Sequence, residues 1–542
     1  MACSQGLIWA GCLMAVLPGL IWADPAVPSA RPEETKNVAA QRPNIVFIFS
    51  DDHAPQAIGA YGLRLSAFCR EQTITPNIDR LAAAGALFAN SFCGNSICSP
   101  SRAAVLTGLH GHANGVRYLN EEVAPGVWKF PAALRAAGYQ TALIGKWHLG
   151  NTATETDYWC VLPGQGAYVN PTFSSTTGQV QRAGYVADAV TDLSLEWLEG
   201  RDPAKPFMLM VHHKPPHRNW TPPERYAHLL DGVSVPEPDT LFDDYAQRAS
   251  VHKAQKMSID KDMTLASDLK VQTDKPLGSI AEMYQSRNEE FRTLSPEGRA
   301  LVRWKYQTYA KDYLRCIKSV DDGVGRVLDY LEKRGLDKNT VVIYSSDQGF
   351  FVGEHGWFDK RWILEESLRM PFIIRWPGVV QPGSRPAAVI QNIDYAPTFV
   401  AIAGGRLPAG LHGRSLLPVL RGETPSDWRT SIFYRYYDPG HGVPQHLGVR
   451  TARYTLAHYG ETGEWELFDR EKDPAQLRSV YADPAYAQAV AELKAELERL
   501  RALYAEADPI PYKRAVKPAA ARPNRPGKDA PQPKRNRKPA SP

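Results

Sequence analysis

Two short stretches constrain this chain more than any other: "PNIVFIFSDDH" (43–53) and "TVVIYSSDQG" (340–349). Each is an uninterrupted apolar run that stops at carboxylates. A strand without polar alternation must be covered on both faces, which is the condition of a parallel sheet, and parallel strands need crossover connections between them. The chain supplies these. "TPNIDRLAAAGALF" predicts a helix with Pro76 near its start and Gly85 at its stop. "FPAALRAAGYQTALIGKWHLG" predicts a helix, a turn at Gly138 and a strand. "PFMLMVHHKPPH" (206–217) predicts a further strand ending in polar residues, and 309–335 a long amphipathic helix stopped by Gly335. The expected class is α/β, with a large sheet flanked by helices. Ligands in such sheets gather beyond the carboxyl ends of the strands. Asp51, Asp52, Lys146, His148, His213 and Asp347 all fall there, so they are expected to share one site.

A chain of 542 residues exceeds what one core usually carries. Residues 221–300 are mixed and polar, an insertion over the sheet. After about Glu423 the pattern changes: "HLGVRTARYTLAHY" and "GEWELFDREKDP" predict antiparallel strands and "YAQAVAELKAELERLRALYAEA" a surface helix. A smaller α+β unit is expected over 423–511. From Tyr512 onward, ten Lys and Arg face one acid, Asp529, in a Pro-rich stretch without apolar period. Residues 512–542 therefore read as a disordered basic tail, solvated or attached to a polyanion. Because the whole chain carries +5, the body without that tail is mildly acidic.

The apolar run Leu7–Trp22 suits a signal peptide over 1–23 better than a membrane span, with 24–42 as linker, although the usual leading Lys or Arg is missing. Export to the periplasm or beyond is expected. Cys3 and Cys12 leave with that segment. Cys69, Cys93, Cys98, Cys160 and Cys316 remain, an odd set without a CxxC pair. That argues against a disulfide framework or a zinc ribbon and leaves room for one or two isolated disulfides.

Asp51, Asp52, Asp347 and the amide oxygen of Gln348 are hard oxygen donors, which favour Ca2+ or Mg2+ over zinc. Together with such a dication, Arg102, Lys146 and Lys360 leave a balance of about +2, suited to a sulfate or phosphate ester. His148 lies two residues after Lys146, so both face the same way on an extended chain. His213 ends its strand, and either histidine can serve proton transfer. "NSICSPSRAAVLTG" (95–108) is too polar for a core strand and too interrupted to open as a helix before Pro100. A thiolate nucleophile at Cys98 wants an adjacent base, and spacing alone supplies none.

"CSPSRAAVLTG" resembles the hallmark of the type I sulfatases, in which the cysteine of Cys-x-Pro-x-Arg is oxidised to formylglycine. "GYQTALIGKWHLG" (138–150) resembles the family's second signature. The order of "SDDH", "CSPSR", "GKWH", "HHK", "SDQG" and a later lysine matches too, from about Pro43 to near Pro511. The resemblance implies an alkaline-phosphatase-like sulfatase fold, with a catalytic domain over 43–422 and the C-terminal subdomain over 423–511. It implies that Cys98 becomes formylglycine, steadied by Arg102. Asp51, Asp52, Asp347 and Gln348 would bind Ca2+, with modified Cys98 completing the shell. Lys146, His148, His213 and Lys360 would hold the sulfate and move protons. Gln348 stands where many members carry Asn or His, and its amide oxygen can still coordinate calcium.

The implied chemistry starts from the hydrated aldehyde. One hydroxyl attacks sulfur, a histidine protonates the departing sugar alcohol, and the second hydroxyl then allows sulfate to be expelled. Within the family, "HHKPPHRNW" and "GEHGWFDKRW" look most like bacterial N-acetylglucosamine-6-sulfatases and mucin-desulfating sulfatases. The alternatives are iduronate-2-sulfatase or arylsulfatase specificity, or a related phosphodiesterase or phosphonate hydrolase. Trp220, Trp357, Asp359 and Arg361 are expected to line the sugar pocket. The implied partners are a sulfated saccharide and the enzyme that generates formylglycine, with no nucleic acid and no membrane span.

Overall fold

A computed structural model of the chain describes residues 42–271 and 281–513. The expected signal peptide, almost all of the expected linker and the expected tail beyond Lys513 lie outside the described residues. Four apolar segments form the middle of a nine-stranded sheet: β1 (Asn44–Ser50), β2 (Gln140–Lys146), β3 (Phe207–His212) and β4 (Thr340–Ser346). Across the sheet the order is Ala86–Leu87, Phe372–Arg375, β4, β1, β3, β2, Tyr158–Leu162, Thr172–Ser175 and Gly178–Gln181. From β4 to Tyr158–Leu162 all neighbours are parallel, and the outer strands pair antiparallel. Every residue of β1, β3 and β4 is buried, as the absence of polar alternation requires.

Side chains alternate between two cores. Val46 and Ile48 join one face with the long helix α2 (Gly298–Lys333), while Ile45, Phe47 and Phe49 join the other with helix α1 (Cys98–Thr107). The register sets the site. Phe49 stands opposite both His212 and Ser345, and His212 opposite Gly145, so the four central strands stop at one level.

α2 starts at Gly298, well before the amphipathic stretch that marks it in the sequence. Lys305 hides this extension. It is buried on the helix and its ammonium donates to the carbonyls of Ile259 (3.2 Å), Asp260 (2.7 Å) and Met263 (3.0 Å), so a charged residue occupies an inward position. Among the described residues of the polar 221–300 stretch, the chain forms short elements and the helix Ala281–Leu294 before α2 begins.

The C-terminal unit is a four-stranded antiparallel sheet, Ser431–Tyr436, His446–Thr451, Tyr454–Tyr459 and Trp465–Asp469, in chain order. Phe433, Leu447 and Val449 pack on the helix Ala487–Leu503, while Ile432, Tyr434 and Tyr436 join the core of the large sheet. Tyr512, assigned to the tail on composition, is held instead: its N–H donates to Gln445 Oε1 (2.6 Å), its carbonyl accepts from Gln445 Nε2 (2.9 Å), and Arg117 lies over its ring. The five described cysteines are buried and unpaired, so the structure joins none in a disulfide. No described helix is long and apolar enough to cross a membrane.

Candidate active site

α1 opens at Cys98 itself, not after Pro100. Ile97 is extended (φ −150°, ψ 142°) and the helix follows at once. Pro100 falls in the first turn, where backbone N–H groups have no intrahelical partner and a missing one costs nothing. The segment is also wholly buried despite its polarity, because its serines find partners. Ser99 Oγ donates to the His148 carbonyl (2.7 Å), and Ser101 Oγ donates to the Asp347 carbonyl while accepting from Asn392 Nδ2 (2.9 Å). The positive end of α1 therefore sits under Cys98, at the level where the strands stop.

Strand ends bring the acids to the same place. Cys98 Sγ lies 3.5 Å from Asp51 Oδ1, and Arg102 Nε donates to Asp347 Oδ2 at 3.1 Å. Lys146 Nζ pairs with Asp51, and Lys360 Nζ grips both oxygens of Asp52 at 2.6 and 2.7 Å. Gln348 Nε2 also donates to Asp52. Asp52 has a left-handed backbone (φ 66°), with its N–H on Asp347 Oδ1 (3.1 Å) and its carbonyl held by Tyr313 of α2 (2.7 Å). One oxygen each from Asp51, Asp52 and Asp347 lie within 4.8 Å of one another, and Gln348 Oε1 is buried without a partner. Two ligands facing each other across a calcium ion stand about 4.6–5.2 Å apart. The donor set fits a hard dication.

Burial decides the protonation states. It pushes the Cys98 thiol up to about 12, which Lys360 only partly offsets. An unmodified Cys98 is therefore a thiol at neutral pH, not an activated nucleophile. Burial and then Lys360, Asp347 and Asp359 act on Asp52, leaving it up at about 6. Burial, followed by the Lys214 charge, lowers the Lys146 ammonium. His148 is pushed down to about 2 by burial and by Lys146, Arg102 and Lys360, and His213 to about 4 by burial alone. Both imidazoles are neutral near pH 7.

His148 reaches the site by a different route from the strand alternation first supposed. β2 ends at Lys146, and His148 has a left-handed backbone (φ 55°). What joins the two is Gln165, whose Oε1 accepts from Lys146 Nζ at 2.5 Å and whose Nε2 stands 3.1 Å from His148 Nε2. A lysine ammonium is donor-only, so the amide oxygen must face it and the NH2 must face His148. His148 Nε2 then accepts, and its proton sits on Nδ1, which is buried and unpartnered. Gln165, Lys214 and His217 escaped sequence reasoning. Lys214 lies over the Tyr168 ring and burial lowers it to about 8, while His217 Nε2 lies 4.0 Å from Asp52 Oδ2. The polar end of "HHKPPH" was the available signal for the last two.

Two expected pocket residues are core instead. Trp220 and Trp357 are fully buried, the first against Tyr309 and Phe358, the second against Tyr245 and Trp362. They were expected in the pocket because aromatic side chains suit a sugar ring, a chemistry that packing in a core serves equally well. Asp359 and Arg361 do flank Lys360, both with φ in the left-handed region (89° and 96°). Asp359 lies 3.7 Å from Lys360 Nζ, Arg361 Nε and His441 Nδ1, and Arg361 Nη1 donates to Tyr436 Oη at 3.0 Å. Left-handed backbone at Asp52, His148, Asp359 and Arg361 concentrates strain around one point, as functional sites do.

The chain matches the family model described as "Sulfatase" over residues 43–405, and "N-sulphoglucosamine sulphohydrolase, C-terminal" over 353–503. It is 41% identical over 505 residues to the N-acetylglucosamine-6-O-sulfatase of Bacteroides thetaiotaomicron, covering 88% of each chain. It is 27% identical over 432 residues to the human N-acetylglucosamine-6-sulfatase, covering 74% of this chain and 69% of the other. A solved structure in complex with its substrate D-glucosamine-2-N,6-O-disulfate superposes with a TM-score of 0.83 at 40% identity, covering 86% of this chain and 99% of that one. With an alkaline-phosphatase-like fold that brings the cysteine, arginine, lysine and carboxylate groups of both signatures to one level of the sheet, the chain belongs to the sulfatase family of sulfuric ester hydrolases.

Proposed function

We propose that this sulfatase removes the 6-O-sulfate from a terminal N-acetylglucosamine or N-substituted glucosamine of a glycosaminoglycan- or mucin-type saccharide. Its cofactors in this reading are Ca2+ and a formylglycine made from Cys98. The observation that carries it is the 41% identity over nearly the whole chain to a bacterial N-acetylglucosamine-6-O-sulfatase. A polar wall of Asp359, Arg361 and His441 beside Lys360 supports it, since a sugar ring offers hydroxyls to such donors and acceptors. Export through a signal peptide over 1–23 is part of the same reading.

Asp51, Asp52, Asp347 and Gln348 would hold Ca2+, which supplies a positive charge for sulfate oxygens and acidifies a neighbouring hydroxyl. The hydrated aldehyde at position 98 would supply one hydroxyl to attack sulfur and a second to let sulfate leave. Arg102 and Lys360 bring positive charge to that position in a dry site, where it attracts an anionic ester strongly, and Lys146 and Lys214, whose ammonium groups burial lowers, add further donors. His213 has both ring nitrogens buried and unpartnered. It is neutral in the free enzyme, and an incoming sulfate raises its proton affinity, so it gains the proton that the departing sugar alcohol needs when the substrate is bound. His148 offers Nε2 as an acceptor, already turned inward by Gln165.

Hydrolysis of N-acetylglucosamine-6-sulfate, an iduronate 2-sulfate and an aryl sulfate, read by sulfate release, and of a phosphonate monoester, read by release of its alcohol, at one pH and calcium concentration, tests the proposal. The first is expected to win by at least tenfold in kcat/KM, a difference of ~1.4 kcal/mol in transition-state binding. Preference for any of the others overturns the specificity. The active protein should contain a peptide ~18 Da lighter at position 98 than its cysteine form.

A further inference from the structure

On an α-helix, residues two apart lie on nearly opposite faces and residues four apart on the same one. Cys98 and Arg102 of α1 face the strand ends, so Pro100 and Ala104 face away. Behind them lies a small cavity of about 10 Å³, lined also by Asn95, His110, Arg435 and Tyr437. Its room matches a single water-sized particle. The walls are built for close approach: a Cβ on Gly94 would stand 2.8 Å from His110 Nδ1.

Several polar atoms around this cavity lack partners among the described residues. Arg435, on the first strand of the C-terminal sheet, is 3% exposed. Its Nη2 donates to the Pro509 carbonyl at 2.7 Å and its guanidinium lies over the Tyr437 ring, but Nε and Nη1 reach no acceptor among the described residues. Among the described residues no carboxylate forms an ion pair with it. Asn95 is 6% exposed with neither end of its amide bonded, and His110 is 4% exposed with Nε2 free. A buried guanidinium without a counter-charge is strongly unfavourable, and a neutral water satisfies its N–H groups without cancelling its charge. Guanidinium, amide and imidazole N–H groups together form a set of donors that suits an acceptor carrying no protons. An oxyanion such as sulfate, with five heavy atoms, exceeds the space.

We propose that this cavity is a binding site for a monatomic anion of the chloride class. The anion would neutralise Arg435 against the back of α1 and so tie the C-terminal sheet to the helix that carries Cys98. The site is separate from the strand-end acids, and the proposal stands whatever saccharide the enzyme takes.

Thermal unfolding of the full-length protein in sodium chloride or bromide, against sodium gluconate at equal ionic strength, tests it. A saturable rise in Tm with either halide and none with gluconate is expected. Arg435→Met should remove the saturable part. Superimposed halide and gluconate curves for the wild-type protein overturn the proposal even if the variant fails to fold. Crystals of the wild-type protein soaked in bromide should give an anomalous peak within hydrogen-bond reach of Arg435 Nε and Nη1. An ordered water there instead overturns the proposal, and so does a peak without any halide effect on Tm, which marks an adventitious ion only.

Discussion

Gln165 carries more than its half-exposed position in a Pro-Gly-Gln-Gly turn suggests, because its two ends hold Lys146 and His148 in one orientation. Gln165→Leu removes a hydrogen bond to a charged group and one to the imidazole. Bonds of the first kind are worth ~1.5–3 kcal/mol, so kcat/KM is expected to fall on the order of 10- to 100-fold. Urea unfolding should leave stability nearly unchanged, since the side chain buries little. The strand-end acids behave differently. Asp51 pairs with Lys146 and Asp52 with Lys360, all fully or nearly fully buried. Asp51→Asn with Asp52→Asn is therefore expected to lose calcium by metal analysis and also to unfold more easily, by ~3–5 kcal/mol for a broken buried pair. The strand-end acids were legible in the sequence because apolar runs that end in charge locate the carboxyl edge of a sheet, whereas Cys98 and Arg102 stood out only through the resemblance of "CSPSR" to the sulfatase hallmark. Gln165 and His217 were not, since no periodicity fixes where a loop side chain points. Trp220 and Trp357 misled for the same reason: an aromatic residue type does not reveal a backbone that turns the indole inward.

α2 does two jobs beyond covering the sheet. Its Tyr313 holds the backbone of Asp52, and its Asp321 caps another helix. The helix Pro76–Ala83 begins after Thr75 without a side-chain cap of its own. Asp321 supplies it from outside, accepting from Asn77 N, Asn77 Nδ2 and Ile78 N, each at 2.9 Å. Asp321→Ala leaves those buried donors without an acceptor, and a loss of ~2–3 kcal/mol is expected in urea unfolding. Asp321→Asn keeps an oxygen and should lose less, with kcat of the folded protein unchanged in both. The strands of the central sheet and most of this helix were legible because each must bury apolar surface at a fixed period. The opening of α1 was not, because Pro100 signals a break in general and is harmless only in a first turn. The first turns of α2 were not, because Lys305 points inward to bind carbonyls.

Burial lowers the proton affinity of several histidines across the molecule. Remote from the strand ends, burial lowers His446 to about 3 and His412 to about 4, the latter helped by His112. In the unfolded chain both take up protons near pH 6.5. Between these values the unfolded state binds more protons than the native one, so stability rises with pH there. It is complete above about pH 6.5 and is lost as the pH falls toward 4. Urea midpoints measured from pH 7.5 down to 4.5 should drop steadily, and His446→Phe, which cannot take up a proton, should flatten the slope. The change of pattern after Glu423 marked the C-terminal unit in the sequence. That its sheet also buttresses the site was not legible: Tyr434 accepts from Ser96 N (3.3 Å) and donates to the Arg361 carbonyl (2.6 Å), contacts that no local pattern announces.

The depth of Cys98 also sets an order of events in time. Its side chain is all but closed to solvent, against Asp51 at the end of β1 and beneath the closed sheet, and β4 is synthesised long after position 98. An enzyme that alters this cysteine must reach it before β4 docks beside β1. Once the sheet has closed, a chain still bearing the thiol keeps it for as long as it stays folded. Under the formylglycine chemistry proposed above, the active fraction of a preparation would record a race run once per molecule, between an encounter and the closing of a door.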